Sequence, residues 1–467
     1  MNRNPHPTRK TATHLLALAA LLSLHGLNAA AAEHDADKLG NSLTPLGGER
    51  TASGGVTAWE GANKPAAGWV PGKLRDAAWK YKDEKALFSI DAASADKQGD
   101  KLTPGQVQML KQSSGYRMDV YPTHRNCTAP DFVLENTKRN VTGAKLSEDG
   151  TVLQQAALPG VPFPLPTTGA QVMWNFQTRY AGVGADYPDT LTMVSPRGGS
   201  GSWIITEGPL HQYFPSGAKG THSPQEVGDV LSATYFTLNA PVALAGQSLA
   251  AKASFGAKDN EVYFYFPGQR RVRRMPSYGY DAPQIGFENQ YTIDQTQMFI
   301  GNLDRFDWKL VGKKEILVPY NTFRLNDFTA KRDEVYGPNY INASNRRYET
   351  HRVWVVEATV KKGMRHLAPR KVFYVDEDSW LVLVGEDYDA QGALWKLREA
   401  SLIPAWELGS ACVSSSFVQY DLAQKRYLAD FLVTGTGKDV RWLSETTDKR
   451  FTIDFFTSDN LRATSER

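Results

Sequence analysis

The residues best suited to chemistry are few, and they stand in short, separated groups. In Tyr121–Pro–Thr–His–Arg125, His124 sits beside Arg125. A guanidinium there could grip a carboxylate or sulfonate headgroup through two parallel hydrogen bonds. The competing reading is structural: Pro122 fixes a turn and His124 closes a strand end. Arg270, Arg271, Arg273 and Arg274 put four guanidinium groups into five positions. On an extended chain they point to both faces. They either dock on an acidic partner or lipid headgroups, or pair within the chain with Asp304, Asp307 or the Asp376–Glu377–Asp378 turn. His351, which opens a strand with Arg352, and His366 in a turn read as satisfied structural groups. Gly435–Thr–Gly–Lys438 is half a phosphate-binding loop. It lacks the first glycine, and Asp439 replaces the Ser or Thr that would hold magnesium, so it reads as a turn. G-x-S-x-G, H-E-x-x-H and C-x-x-C do not occur. The pattern names no catalytic residue, no metal and no cofactor, and the chain is read as a non-enzyme.

The elements that would position these groups are mostly strands. Trp203 and Ile205 share one face of Ser202–Thr206. Trp354, Val356, Ala358 and Val360 share a face of Arg352–Val360, and Ala393, Trp395 and Leu397 a face of Ala393–Leu397. Alternation with period two marks a sheet with one buried side. Turns are legible at Pro267–Gly268, after Glu261–Phe266, at Asp376–Ser379 and at Ala390–Gly392. Consecutive strands with short turns make an antiparallel meander, and the lack of βαβ alternation disfavours a doubly wound sheet. Helices are expected after Thr103, where Pro104 and Gln106 complete a capping box, and over Thr168–Ala181. The fold class is therefore mainly β, an α+β protein built on a large antiparallel sheet. The large apolar residues on the alternating faces are the candidate lining of a ligand cavity: Trp203, Ile205, Val262, Phe264, Trp354, Val356, Trp395 and Leu397. The alternative is that these faces pack on one another as a filled core.

The ends and composition bound the setting. Arg3, Arg9 and Lys10 precede an apolar run from Leu15 to Leu27, and Ala29–Ala32 offers a small-residue cleavage site. Residues 1–32 are therefore expected to be a signal peptide, leaving about 435 residues outside the cytoplasm. No cysteine sits near the cleavage site, so no lipid anchor is expected, and no later run is long enough to span a membrane. Residues 33–100 read as an irregular arm held by Trp59, Trp69 and Trp79, and 101–467 as a single domain. The net charge is +3 with both signs interleaved, which argues against a nucleic-acid partner. Cys127 and Cys412 are the only cysteines. In an oxidising compartment they are a disulfide candidate, two free buried thiols being the alternative.

Six stretches resemble the bacterial exported domain-of-unknown-function family 1329. They are LTPLGGER (Leu43 to Arg50), YRMDVYPTHR (Tyr116 to Arg125), PGQRRVRR (Pro267 to Arg274), DRFDWKLVGKKE (Asp304 to Glu315), RYETHRVWVVEATV (Arg347 to Val360) and YVDEDSW (Tyr374 to Trp380). The resemblance implies the fold of the periplasmic Lol-type lipoprotein carriers, a strongly curved sheet or open half-barrel covered by helices around an apolar cavity. It also implies partners: an inner-membrane transporter of the resistance–nodulation–division type and an outer-membrane protein. The resulting expectation is a soluble periplasmic carrier for a lipid, a lipoprotein acyl chain or a sterol-like molecule, with no cofactor. The other classes are a periplasmic hydrolase with an unrecognised site and a structural adaptor of an envelope complex.

Overall fold

Thr103 caps its helix as the local sequence dictates. In the computed structural model, which describes Met1 and residues 35–256, 260–276 and 279–466, Thr103 Oγ1 accepts from Gln106 N and Gln106 Oε1 accepts from Thr103 N. These bonds satisfy two donors that a helix start leaves orphaned, and they open α1 (Pro104–Gln112). A second helix, α2 (Asp131–Gly143), follows Pro130. Thr168 and Gln171 form the same reciprocal cap on α3 (Gly169–Gln177). This helix stops short of the expected Ala181, with Thr178 Oγ1 closing its last turn on the carbonyl of Trp174. The expected leader lies, Met1 aside, outside the described residues.

The strands form one open sheet of 16 strands among the described residues and a separate ribbon of two. β1 (Phe88–Ile90) and β2 (Met118–Val120) make one edge, and β3 (Lys145–Leu146) with β4 (Leu153–Gln155) make the ribbon. A first meander runs through β5 (Gly184–Val194), β6 (Ile204–Tyr213), β7 (Val230–Thr237), β8 (Ser248–Ser254), β9 (Glu261–Phe266) and β10 (Arg271–Arg274). A second runs through β11 (Phe306–Pro319), β12 (Tyr348–Val360), β13 (Arg370–Asp376), β14 (Val382–Tyr388), β15 (Leu394–Ala405), β16 (Ala411–Asp421) and β17 (Arg426–Leu432). β17 pairs with β5 and joins the two, while β18 (Arg441–Leu443) adds to β5. All neighbours are antiparallel except β2 on β12. β10 leaves the far edge open, so no barrel closes. The expected turns at Pro267, Asp376 and Ala390 connect β9 to β10, β13 to β14 and β14 to β15.

The expectation of one buried side needs correction. Strands β14, β16 and β17 are buried at every residue. On one face Val356, Phe373, Ala400 and Phe417 pack with Met173, Trp174 and Phe176 of α3. On the other, Val355, Tyr374, Val384 and Val418 pack with Met109 and Leu110 of α1 and with Ile316–Val318 of β11. A sheet covered on both sides usually reads as continuous apolar runs. Here the pattern is broken by Lys371, Glu386, Asp387, Lys396, Arg398 and Glu399, all buried, which a one-sided reading assigns to solvent. Burial of such charges requires partners, and they have them: Arg398 Nη2 lies 2.6 Å and Lys371 Nζ 3.3 Å from Asp387 Oδ1. Outside the sheet, Trp79 is 4% exposed and Trp69 meets Trp406 edge-on. Cys127 and Cys412 form a disulfide.

Candidate functional site

A cavity opens where the strands of the first meander present short side chains. Its wall runs mainly along alternate positions, with Glu207, Pro209 and Lys252 also bordering it: Thr190 and Thr192 on β5, Thr206, Gly208 and Leu210 on β6, and Ser232, Thr234 and Phe236 on β7. Leu249, Ala251 and Ala253 on β8 and Val262 and Phe264 on β9 complete it. Register puts these in rows across the strands, such as Thr234–Ala251–Val262 and Phe236–Leu249–Phe264. Thr, Ser, Gly and Ala cannot reach the covering layer, so a void remains. Beneath α3 the same face carries large side chains and is filled. Gly208 also serves β6 itself: a Cβ there would lie 1.9 Å from the carbonyl oxygen of Thr237.

The opposite face of these strands is sealed by the C-terminus. Ala233, Tyr235, Ala250 and Tyr265 pack with Phe456 and with Leu461 of α4 (Ser458–Ser465). The cavity's cover is the segment from Gln284 to Ile300, which supplies Ile285, Phe287, Tyr291, Ile293, Thr296 and Ile300. Buried polar bonds fasten that cover to the second meander. Asp294 lies 2.9 Å from Lys371 Nζ and 3.1 Å from His366 Nε2, and Gln295 Nε2 donates to Asp387 at 2.8 Å. Lys396 and Gln419 both donate to the carbonyl of Gln290, and Arg398 to that of Met298. Burial opposes the charge on Asp294, but Lys371 and His366 hold its carboxyl well below the usual range.

The floor comes from β17, where Phe431 takes a positive φ of 59° and the register with β5 shifts. Such a bulge re-aims neighbouring side chains, and both Asp430 and Phe431 face the cavity. Asp430 accepts from Thr192 Oγ1 (2.5 Å), the amide of Phe431 (2.7 Å) and Tyr291 OH (2.7 Å). Burial pushes its carboxyl above the usual range, and the bonds from Thr192 and Tyr291 pull it partly back. The cavity volume is about 160 Å³, and the empty space along the cleft, counting the part open to solvent, is about 1220 Å³. A dry cavity of about 150 Å³ accepts a benzene-sized body. A cavity of this volume fits one ring or a short run of methylenes, and the solvent-open cleft accommodates more. Ile285, 40% exposed, marks its mouth.

The residues singled out from sequence fall in different places. Val262 and Phe264 line the cavity. Trp203 and Ile205 pack toward the other core, because on β6 the cavity face carries Thr206, Gly208 and Leu210. Trp354 and Val356 lie in the filled part of the face, with Trp354 stacked on Trp380. Leu397 packs beneath α1, against Gly105, and Trp395 donates to Asp421. None of those six lines the cavity. What sequence reasoning missed was the recurrence of small residues at alternate positions on β5 to β8. Large apolar residues at alternate positions fill a space rather than leave one.

Arg270, Arg271, Arg273 and Arg274 sit at the open edge and are exposed. Among the described residues they form no ion pair. Arg273 bonds Gln269 and covers the ring of Phe266, while Asp304 accepts from Tyr280. His124 and Arg125 are buried at 8% and 0% exposure. His124 lies between Glu60 and Glu84 and stacks on Tyr81. Arg125 forks onto Asp378 at 2.7 and 2.8 Å and reaches Glu377 at 3.0 Å. The headgroup role their adjacency invites has no exposed group to serve it, since both are committed inside the chain. Among the described residues no helix is long and apolar enough to cross a membrane.

Comparison with known proteins gives the chain relatives. It is 38% identical over 427 residues to an uncharacterised protein of Pseudomonas aeruginosa, covering 90% of this chain and 92% of that one. Among solved structures it is similar to an outer-membrane lipoprotein-sorting protein domain from Vibrio parahaemolyticus, at 12% identity and a TM-score of 0.43, over 62% of this chain and 97% of that one. A DUF1329 family protein from Desulfovibrio piger matches at 15% identity and a TM-score of 0.41, over 62% and 98%. The family model described as protein of unknown function DUF1329 matches residues 89–462, and the chain belongs to that family.

Proposed function

We propose that this protein is a carrier for a hydrophobic ligand in the cell envelope. The observation that supports this reading best is the cavity between β5–β9 and the Gln284–Ile300 cover, floored by Asp430 and Phe431. Its walls are short and mainly apolar, so the free energy of binding comes from removing the guest's apolar surface from water, about 0.8 kcal/mol per methylene. The guest is an acyl chain, a lipoprotein's lipid or a sterol-like ring, with one segment enclosed and the rest along the mouth. Release requires movement of the cover, which buried ion pairs restrain. The carrier works in the periplasm, after loss of the leader at 1–32, and needs no cofactor. Hand-over is to or from a resistance–nodulation–division transporter and an outer-membrane protein, with the arginines of β10 as the docking edge.

Native mass spectrometry of protein purified from its host tests this reading. A co-purifying apolar molecule, displaced when the cavity is blocked, is the expected result. Protein free of any lipid that also fails to bind a fluorescent fatty acid would reject the carrier. Turnover of generic ester substrates would replace it with a hydrolase.

A further inference from the structure

Four of the stretches that carry the family resemblance converge on one buried polar node that shares no residue with the cavity. Leu43–Arg50 enters through the carbonyl of Glu49, which accepts from both Arg125 and Arg352. Tyr116–Arg125 brings Arg125, Arg347–Val360 brings Glu349, His351 and Arg352, and Tyr374–Trp380 brings Asp376, Glu377 and Asp378. The charges there are paired almost completely. Arg125 holds Asp378 and Glu377, Arg352 reaches Glu377 at 2.7 Å, and Arg347 reaches Glu349 at 2.6 Å.

Two atoms of its ionisable side chains are left over, beside the amide oxygen of Asn321. His351 Nδ1 and Asp376 Oδ1 have no hydrogen-bond partner among the described residues, and both side chains are fully buried. Both atoms are acceptors. Glu349 takes donors from Arg347, Asn321 and the amide of His124, so it is an ionised acceptor. His351 Nε2, 3.2 Å from Glu349 Oε2, must then carry the imidazole proton, which leaves Nδ1 a bare lone pair. Asp376 Oδ2 accepts from Tyr320 OH and from the amide and hydroxyl of Ser379, while Oδ1 accepts nothing. Ligand atoms of His351, Asp376 and Asp378 lie within 4.8 Å of one another. Acceptors cannot bond each other, and a buried acceptor without a donor is costly. A cation or a water would satisfy them.

Charge favours the cation. Four buried carboxylates, Glu349, Asp376, Glu377 and Asp378, face three buried guanidinium groups. On the rim, Glu49 and Glu84 outnumber Lys313. The surroundings also match a metal site: a carboxylate behind the far nitrogen orients a metal-binding histidine and raises its basicity. One imidazole nitrogen and two carboxylates suit a borderline divalent ion such as zinc, and the carboxylate oxygens also admit manganese at lower affinity.

We propose that His351, Asp376 and Asp378 form a divalent-cation site that ties the β13–β14 turn to β12. It stands independently of the carrier reading. Because the node is buried, the ion is acquired as the chain folds and stabilises the folded state.

The test uses the full mature chain, refolded with zinc chloride or manganese chloride alone and freed of loose ions by gel filtration. Elemental analysis is expected to find about one equivalent of metal, and thermal unfolding to shift upward relative to chelator-treated protein. His351→Gln and Asp376→Asn should each lower the retained metal to about a tenth of that or less. Crystals of the wild-type protein measured at the metal's absorption edge locate the ion without relying on the folding of any variant. A peak between His351 and Asp376 supports the site for either metal. A water or empty density there with both metals overturns it, as does undiminished metal in both folded variants.

Discussion

Filling the cavity from its own wall is the most direct way to separate a carrier from a protein with a void of no consequence. Ala251 sits on the cavity face of β8, opposite Thr234 and Val262. Ala251→Phe adds one phenyl ring, the size of body that a cavity of about 160 Å³ accepts. Two consequences follow with opposite signs. The new ring buries apolar surface worth about 1.5–3 kcal/mol, against a strain of about 1–3 kcal/mol if the fit is imperfect, so folding stability should change by no more than about 1–2 kcal/mol. A guest, by contrast, loses the enclosed site. Displacing four to six methylenes' worth of contact at about 0.8 kcal/mol each removes about 3–5 kcal/mol, a rise in Kd of at least about a hundredfold. The assay is equilibrium titration of delipidated protein with a fluorescent fatty acid, alongside urea unfolding. Val311→Ser serves as control, because Val311 is exposed on β11 and outside the cavity lining. If the Ala251→Phe protein is folded and binds the probe as the wild type does, the guest does not use this cavity and the reasoning fails.

Three further outcomes are expected. Asp294→Asn removes the charge that holds the cover to Lys371 and His366; breaking a buried pair costs about 3–5 kcal/mol, so stopped-flow release of the probe should quicken by tenfold or more, and an unchanged release rate would show that the cover does not gate the cavity. Replacing Cys127 and Cys412 together by Ser opens a loop with a sequence separation of 285 residues, and the chain-entropy argument gives a loss of about 5.6 kcal/mol, read as a lower urea midpoint; an unaltered midpoint would show that the bridge restrains little in the unfolded chain. Burial pushes the carboxyl of Asp439 up from 3.8 to about 6, with Arg75 nearby drawing it back only partly; the folded state therefore binds this proton more tightly, its contribution is greatest below pH 3.8 and is lost as pH rises through about 6, up to about 3 kcal/mol. Asp439→Asn should flatten the stability profile between pH 4 and 7 relative to the wild type, and parallel profiles would contradict the assignment.

Local chemistry made much of this protein legible from its residues alone. Thr103 with Gln106 writes a helix start because both partners of the cap lie within one turn, and Thr168 does the same with Gln171. Pro267–Gly268 and the Asp376–Ser379 run mark turns for equally local reasons, and period-two patterns identify strands and an antiparallel order. The same patterns do not say whether a charged residue faces water. Lys371, Asp387 and Arg398 look like surface positions until β13, β14 and β15 lie side by side and let them neutralise one another. Nor can alternation tell an empty face from a full one. The cavity depends on Thr192, Thr234 and Ala251 being too short to meet a cover that arrives from about 30 to 110 residues further along the chain. The polar node joins the Glu49 carbonyl, Arg125, His351 and Asp376, segments far apart in sequence whose partners are chosen by three-dimensional proximity. Sequence determined the elements, because capping, turns and alternation are contacts between near neighbours. Only the tertiary structure decided where space and unpaired acceptors remain, because both depend on what the opposing layer does or does not supply.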